Sequence, residues 1–466
     1  MLDLKNYEVV VIGGGPGGYV AAEEAAKLCG SVALIENKYL GGTCLNSGCI
    51  PSKTLLRHSE VIELMEKAKN WGIEFGSVSI SFEKMISRKT TVVENLRNGV
   101  ASLLRNARVD VYNGTAIVES NHQINIELKY GSETITADKI IIATGSKPFV
   151  PSINGIENVG YHTSDSIFEL ASLPQSLVIV GGGIIGVEFA CIFSALNVEV
   201  TIIEMADRLI SAEDGEAADL ISKKLAKDKV NILTSAKVQE LSQNENGKMV
   251  RLETKNGEHI SIQADELLLA SGRTPNLSVI SKLNLKKNGP FIAVNKQMET
   301  SIPHIYAVGD VIGGWQLAHV ASAEGIVAAW NACNLFKEIN YKVVPRCIYS
   351  SPEIASVGLT EKEAKEKGKS VRTEMFHFRA SGKAMAMDES TGFIKLIADE
   401  TYNEILGVTM VGPHVTEMIS EASTLILLEG TVNELEAIIH PHPTLSEGIG
   451  EAARAWLHKK KVHAMS

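Results

Sequence analysis

Two stretches of this chain, EVVVIGGGPGGYVAAEEAA from Glu8 and SLVIVGGGIIGVEFACIFSA from Ser176, repeat one pattern: a β-branched run, then G-x-G-x-x-G, then a helix of small residues. Few folds accommodate it. Gly13, Gly15 and Gly18 suit a tight turn, close approach of backbone to a pyrophosphate, and close helix–sheet packing; Gly181, Gly183 and Gly186 repeat them. The N-terminus of the helix that follows supplies an anion site. A single glycine fingerprint followed by a surface glutamate is weak evidence. Here each copy leads into a second apolar strand that ends in an acid, SVALIE at Glu36 and VEVTIIE at Glu204. A carboxylate at that position accepts ribose hydroxyls and repels a 2'-phosphate, so Glu204 favours NAD over NADP in the second site.

The expected fold class is therefore α/β, with two Rossmann-like dinucleotide-binding domains and a C-terminal α+β domain. With 466 residues the chain is too long for one ordinary core. Two further strand-to-glycine stations, KIIIATGSKP around Gly145 and ELLLASGRTPN around Gly272, read as the strands that close the two domains. HIYAVGDVIGG ends in Asp310, placed either to bind a polyol hydroxyl or to cap a helix. Between Ala116 and Thr136 short alternating strands suggest an antiparallel insertion, and from Val343 onward strands and helices mix without nucleotide signals. The boundaries expected are 1–147 for the first nucleotide domain with its cysteine loop, 148–272 for the second, 273–342 for a central domain, and 343–466 for an interface domain.

A net charge of −10 argues against nucleic acid, and no apolar run approaches a membrane span, so neither partner is expected. Lys459 to Lys461 read as a solvated basic tail. Met1 to Glu8, taken to precede the first strand, leave no room for a signal or transit peptide, so the expected location is cytoplasmic.

Of six cysteines, Cys29, Cys191, Cys333 and Cys347 are scattered, while Cys44 and Cys49 share the glycine-rich stretch GGTCLNSGCIPSK. Cys29 and Cys191, on apolar helix faces, read as inert core residues. The close pair is a redox dithiol, a structural disulfide or half a zinc site. Zinc needs two more ligands, and no second close pair exists; no metal is expected. A stapling disulfide is rare in a reducing compartment. Beside two dinucleotide sites, the redox reading is favoured. Dithiol exchange needs a thiolate and hence a base, and HPHPTLSEGIGEA offers His442 with Glu447 five residues on to set its tautomer. His440 reads as part of a rigid, Pro-spaced surface turn.

Together GGTCLNSGCIPSK, GGGIIGVEFA, YAVGDV, YSSPEIASVGLTE and HPHPTLSE resemble the pyridine nucleotide-disulfide oxidoreductases over the whole chain. The resemblance implies FAD in the first site and NAD in the second. It puts Glu36 on the FAD ribose, Lys53 beside the flavin and paired with Glu188, Asp310 on the ribityl chain, and Thr43, Gly114, Gly145 and Ala318 against FAD. Val238 and Gly272 then line the NAD site. It assigns Cys44 to exchange with substrate and Cys49 to contact with the flavin, and it implies a homodimer in which His442 serves the other subunit's Cys44.

Members acting on glutathione or trypanothione carry a tyrosine at Ile184 and arginines at Glu204 and Ile210, and other members end in a thiol or selenol pair that KKKVHAMS lacks. Ser47 and Cys347 are departures without an assigned role. The activity implied is oxidation of protein-bound dihydrolipoamide to lipoamide with reduction of NAD+. The lipoyl group would arrive on the lipoyl domain of an acyltransferase or on a glycine cleavage carrier protein. The rivals are a related disulfide or quinone reductase and a non-catalytic redox sensor or docking subunit.

Overall fold

The structure is a computed structural model that describes the backbone of residues 4–465 and the side chains of 4–459. Met1 to Asp3, and the side chains of Lys460 and Lys461, lie outside the described residues.

The first sheet is built on β1 (Lys5–Ile12), whose Val9, Val10 and Val11 have no solvent exposure. Such a strand needs cover on both faces. Parallel neighbours are β2 (Val32–Glu36) on one side and β5 (Ser132–Ile142), from Ile135 onward, on the other. β3 (Asp110–Val118) runs parallel to β2 through Asn113, then bends into an antiparallel meander with β4 (Gln123–Leu128) and the start of β5. The antiparallel segment expected between Ala116 and Thr136 is thus continuous with the sheet. β1 also starts earlier than its apolar run, because Lys5, Asn6 and Tyr7 pair with Ile135, Thr136 and Ala137.

Helix α1 (Pro16–Leu28) buries Ala21, Ala22 and Ala25, and α2 (Gly42–Ser47), α3 (Cys49–Ala68) and α4 (Phe82–Asn106) follow β2. The strand Ile305–Ala307 adds to β5, and helix α7 (Ala318–Ala332) packs along α1, so the stretch after residue 273 returns to the first sheet.

The second nucleotide sheet has five parallel strands in the order Asn231–Leu233, Glu199–Ile203, Ser176–Val180, Glu266–Leu269, His162–Thr163. Its helices include α5 (Ile184–Ala195) and α6 (Gly215–Lys227). The C-terminal region is a five-stranded antiparallel sheet with helices beside it. It is seated on the second nucleotide unit by buried Lys395, whose ammonium donates to Asp214 (3.0 Å) and Glu216 (2.7 Å) at the start of α6. Arg346 reaches Glu213 at 3.1 Å beside them. A buried ammonium with no such partners costs several kcal/mol. No helix among the described residues is long and apolar enough to cross a membrane.

Two sequence expectations are corrected. Cys29 is not an isolated core thiol: it closes α1, Cys333 closes α7, and the two form a disulfide with Cα atoms 5.7 Å apart. A separation of 304 residues hid the pair, which only the packing of α1 on α7 brings together. His440 is not a surface turn residue. Its side chain is 8% exposed and bonds Glu421 at 2.9 Å. Lys459, the first of the basic run, is 60% exposed and pairs with Glu374 at 2.8 Å.

Candidate active site

The two glycine turns have the same construction. Gly13 (φ +106°) and Gly181 (φ +116°) adopt a conformation that L side chains rarely reach, and a Cβ there would lie 2.3 Å from the Ala143 carbonyl oxygen and 2.4 Å from that of Ala270. A Cβ on Gly18 or Gly186 would strike the carbonyl oxygen of Gly13 at 1.8 Å or of Gly181 at 2.0 Å. The middle glycines differ. The nearest atom to a Cβ on Gly15 is Gly42 Cα at 3.8 Å, and a Cβ on Gly183 meets nothing within 4 Å. No side chain caps α1 or α5 at these glycines, so their first amides point into that space. A side chain would fill the room that a phosphate takes, and both turns fit a dinucleotide.

The acids repeat as well. Glu36 accepts from the amides of Gly14 and Lys38, each at 2.7 Å. Glu204 accepts from Gly182 at 2.6 Å and Ala206 at 2.7 Å. Two amides fix each carboxylate, and the remaining lone pairs are left for ribose hydroxyls.

Gly145 (φ +65°), beyond the strand beside the first turn, and Gly272 (φ +106°), beyond the strand beside the second, have open space on their Cβ sides; Ala318 opens α7, and Gly114 lies in β3 against the Glu127 carbonyl. Val238 is buried in the strand Ala236–Asn244 of the second unit. Asp310 follows the strand Ile305–Ala307 and accepts from Ser146 Oγ at 2.5 Å.

Arg273 was missed by the sequence reading. Its guanidinium is 12% exposed. It donates to Ser146 Oγ (2.7 Å), the Ser146 carbonyl (2.9 Å), Ser164 Oγ (3.1 Å), Asp165 (3.1 Å) and Thr43 Oγ1 (3.5 Å). One planar fork thus joins Thr43 and Ser146 of the first unit to Ser164 and Asp165 of the second, and through Ser146 it orients Asp310. The available signal was an arginine directly after a strand-ending glycine in ELLLASGRTPN.

The dithiol sits on the first turn. Gly41 (φ +92°) and Gly42 (φ +56°) bend the chain back, the Gly41 amide donates to the Gly14 carbonyl at 2.8 Å, and a Cβ on Gly42 would come 2.6 Å from Gly15 Cα. Gly48 then separates α2 from α3, leaving Cys44 inside one helix and Cys49 at the head of the next. Both are half-buried and present as thiols in contact. The hydrogen bond from Cys44, helped by the Lys53 charge, holds the Cys49 thiol below the ordinary cysteine range against burial and the nearby Glu188. Donating that bond, together with burial, pushes Cys44 up. Of the two thiols, Cys49 is the one more readily ionised.

Lys53 lies one turn beyond Cys49, and its ammonium bonds both Glu188 oxygens at 2.9 and 2.8 Å. Glu188 belongs to α5 and is 6% exposed, so the ion pair links the helix of the dithiol to the helix of the second glycine turn. Tyr349 completes the cluster: its amide donates to Glu188 at 3.1 Å and its ring centre is 4.6 Å from the Lys53 ammonium.

His442 Nδ1 lies 2.7 Å from Glu447 Oε1, and the Thr444 amide donates to Glu447 Oε2 at 2.7 Å. The Thr444 amide and then the histidine hold the Glu447 carboxyl below the usual carboxylate range. With Nδ1 donating to a carboxylate, Nε2 is left as a proton acceptor. The His442 side chain is 80% exposed, and among the described residues no hydrogen bond links it to either cysteine. The chain therefore brings dithiol, lysine and both glycine turns together, and leaves the histidine pair apart on its surface.

Residues 7–325 match the pyridine nucleotide-disulphide oxidoreductase family, and residues 344–453 match the dimerisation domain of that name. The chain is 44% identical to a dihydrolipoyl dehydrogenase of Bacillus subtilis, over 97% of this chain and 98% of that one. It is 37% identical to the dihydrolipoyl dehydrogenase of Zymomonas mobilis, over 97% and 98% respectively. Among solved structures it is similar to the Cu(II) complex of the HOCl-induced flavoprotein disulfide reductase RclA from Escherichia coli. That match has 31% identity and a TM-score of 0.87, covering 97% of this chain and 100% of that one.

Proposed function

Because this chain belongs to the pyridine nucleotide-disulphide oxidoreductase family, we infer that its dithiol, its two nucleotide turns and its histidine–carboxylate pair form one electron path. The enzyme uses FAD and NAD to oxidise dihydrolipoamide to lipoamide with reduction of NAD+. The observation that carries the dithiol's part is its seat, with Gly42 packed on Gly15 of the first turn and Lys53 tied to the helix of the second.

Gly13, Gly15, Gly18, Glu36, Thr43, Gly114, Gly145, Asp310 and Ala318 hold FAD, while Gly181, Gly183, Gly186, Glu204, Val238 and Gly272 hold NAD. Bound FAD supplies a two-electron acceptor that passes hydride to NAD+. The protein's own work is thiol chemistry. A free thiol with a pKa near 8.5 is only about 3% ionised at pH 7, so His442 Nε2 takes the first substrate proton while Glu447 steadies the resulting imidazolium. The substrate thiolate attacks Cys44 Sγ of the oxidised pair; the Cys44–Cys49 bond breaks, and Cys49 leaves as a thiolate that Lys53 stabilises. The second substrate thiol displaces Cys44 from the mixed disulfide, and lipoamide departs as the cyclic disulfide.

The exposed His442 fits a homodimer in which it faces the other subunit's Cys44. The enzyme works in the cytoplasm on lipoyl groups carried by an acyltransferase or a glycine cleavage protein.

Steady-state assays with dihydrolipoamide and each nucleotide test this reading. Two unit charges about 4 Å apart in a medium of effective dielectric near 20 repel by about 4 kcal/mol. Glu204 is therefore expected to make NAD+ better than NADP+ by at least about a hundredfold in kcat/KM. Turnover of glutathione disulfide with either reduced nucleotide should be negligible. Equal use of the two nucleotides, or preference for glutathione, would overturn it.

A further inference from the structure

We propose that Cys29 and Cys333 form a second thiol–disulfide couple, separate from Cys44 and Cys49, that clamps together the two helices at the FAD site. The link to FAD rests on the proposed function; the couple itself does not.

Cys29 stands at the C-terminal cap of α1 and Cys333 at that of α7, joined across 304 residues of sequence. The two helices lie side by side at backbone contact. A Cβ on Gly325 would fall 2.3 Å from the Gly17 carbonyl oxygen, and one on Gly17 would fall 3.1 Å from that of Ala321. Trp330 Nε1 donates to Glu24 at 2.7 Å nearer the cross-link. The opposite ends of the same helices, Pro16 and Ala318, are those assigned to the cofactor. A 13-residue helix is about 20 Å long, so the cross-linked sulfurs lie about that far from the glycine turn at the other end of α1. Both cysteines are half-buried and can be reached by a small disulfide.

Glutathione disulfide is the class of oxidant that closes the clamp. One cysteine thiolate attacks it and releases one glutathione thiol. The second cysteine then attacks the mixed disulfide at the protein sulfur and releases the other, so that two protons and two electrons end on glutathione. A reducing thiol pool keeps the couple open. Closure restricts the unfolded chain over a long loop and opposes separation of α1 from α7, the local opening by which FAD would leave.

The test compares holoenzyme of the wild type and of Cys29→Ala/Cys333→Ala, each equilibrated with glutathione disulfide or with reduced glutathione. Alkylation in denaturant followed by peptide mapping should recover Cys29 cross-linked to Cys333 in the oxidised wild type. The temperature of FAD release, read by flavin fluorescence, should be about 5 °C higher for oxidised than for reduced wild type, a shift the active double variant lacks. Free, alkylated Cys29 and Cys333 in the oxidised sample would overturn the proposal, as would the same shift in the variant. Mapping requires neither FAD nor turnover, so a failed clamp is distinguishable from a protein that never bound flavin.

Discussion

Cys49→Ser is expected to lower dihydrolipoamide oxidation at least about a thousandfold while the protein remains folded and yellow, because a serine can neither form the disulfide that substrate attacks nor leave as a stabilised anion. The readouts are steady-state turnover, bound FAD, and the long-wavelength absorbance that a thiolate touching oxidised flavin gives on two-electron reduction. Cys49→Ser should lose that absorbance. In the wild type the pKa of the thiol is held down to about 7, so the absorbance should outlast that of an ordinary thiol as pH falls and be half lost near pH 7. An absorbance that instead faded as pH dropped through about 8.5 would mean the Cys44 hydrogen bond and Lys53 do not stabilise Cys49.

His442→Gln should cost about a hundredfold to ten-thousandfold in turnover, the range for removing a general base, with FAD retained. Mixing supplies a sharper result. If His442 serves the other subunit, a dimer of one Cys44→Ser chain and one His442→Gln chain holds one site with both lesions and one with neither. With random pairing about half the dimers are mixed, so about a quarter of wild-type activity should return when the two inactive proteins are co-expressed. A site complete within one chain predicts no recovery, since every site then keeps one lesion. The shared site is what the family resemblance implies, and the 80% exposure of His442, tethered to Glu447, leaves it free to face another subunit.

What the sequence disclosed, and what it hid, follows from range. The glycine turns were legible because each requirement is local: a positive φ at Gly13, a clash at Gly18 and an acid ending β2 all fall within 24 residues, and the second copy repeats them. His442 and Glu447 were equally close, only five residues apart. Lys53 and Glu188, 135 residues apart, read from pattern alone as ordinary helix positions and paired only through the family resemblance. Arg273 escaped because its partners come from three separate stretches, at Thr43, Ser146 and Ser164–Asp165. His440 was misjudged because the Pro-spaced motif carries no trace of Glu421, which reaches the loop from the helix Val415–Leu427. The Cys29–Cys333 bond is the extreme case, fixed by how two helices stack and by nothing near either cysteine.

The central claim is that dihydrolipoamide gives its electrons to the Cys44–Cys49 disulfide before NAD+ takes part. Anaerobic mixing of oxidised holoenzyme with dihydrolipoamide, in the absence of nucleotide, tests it directly. The account predicts about one lipoamide formed per active site and the appearance of long-wavelength absorbance from Cys49; in Cys44→Ser, where Cys49 has no disulfide to be released from, mixing should yield no lipoamide and no change in absorbance. Lipoamide that forms only once NAD+ is added, or forms equally well in Cys44→Ser, would contradict it.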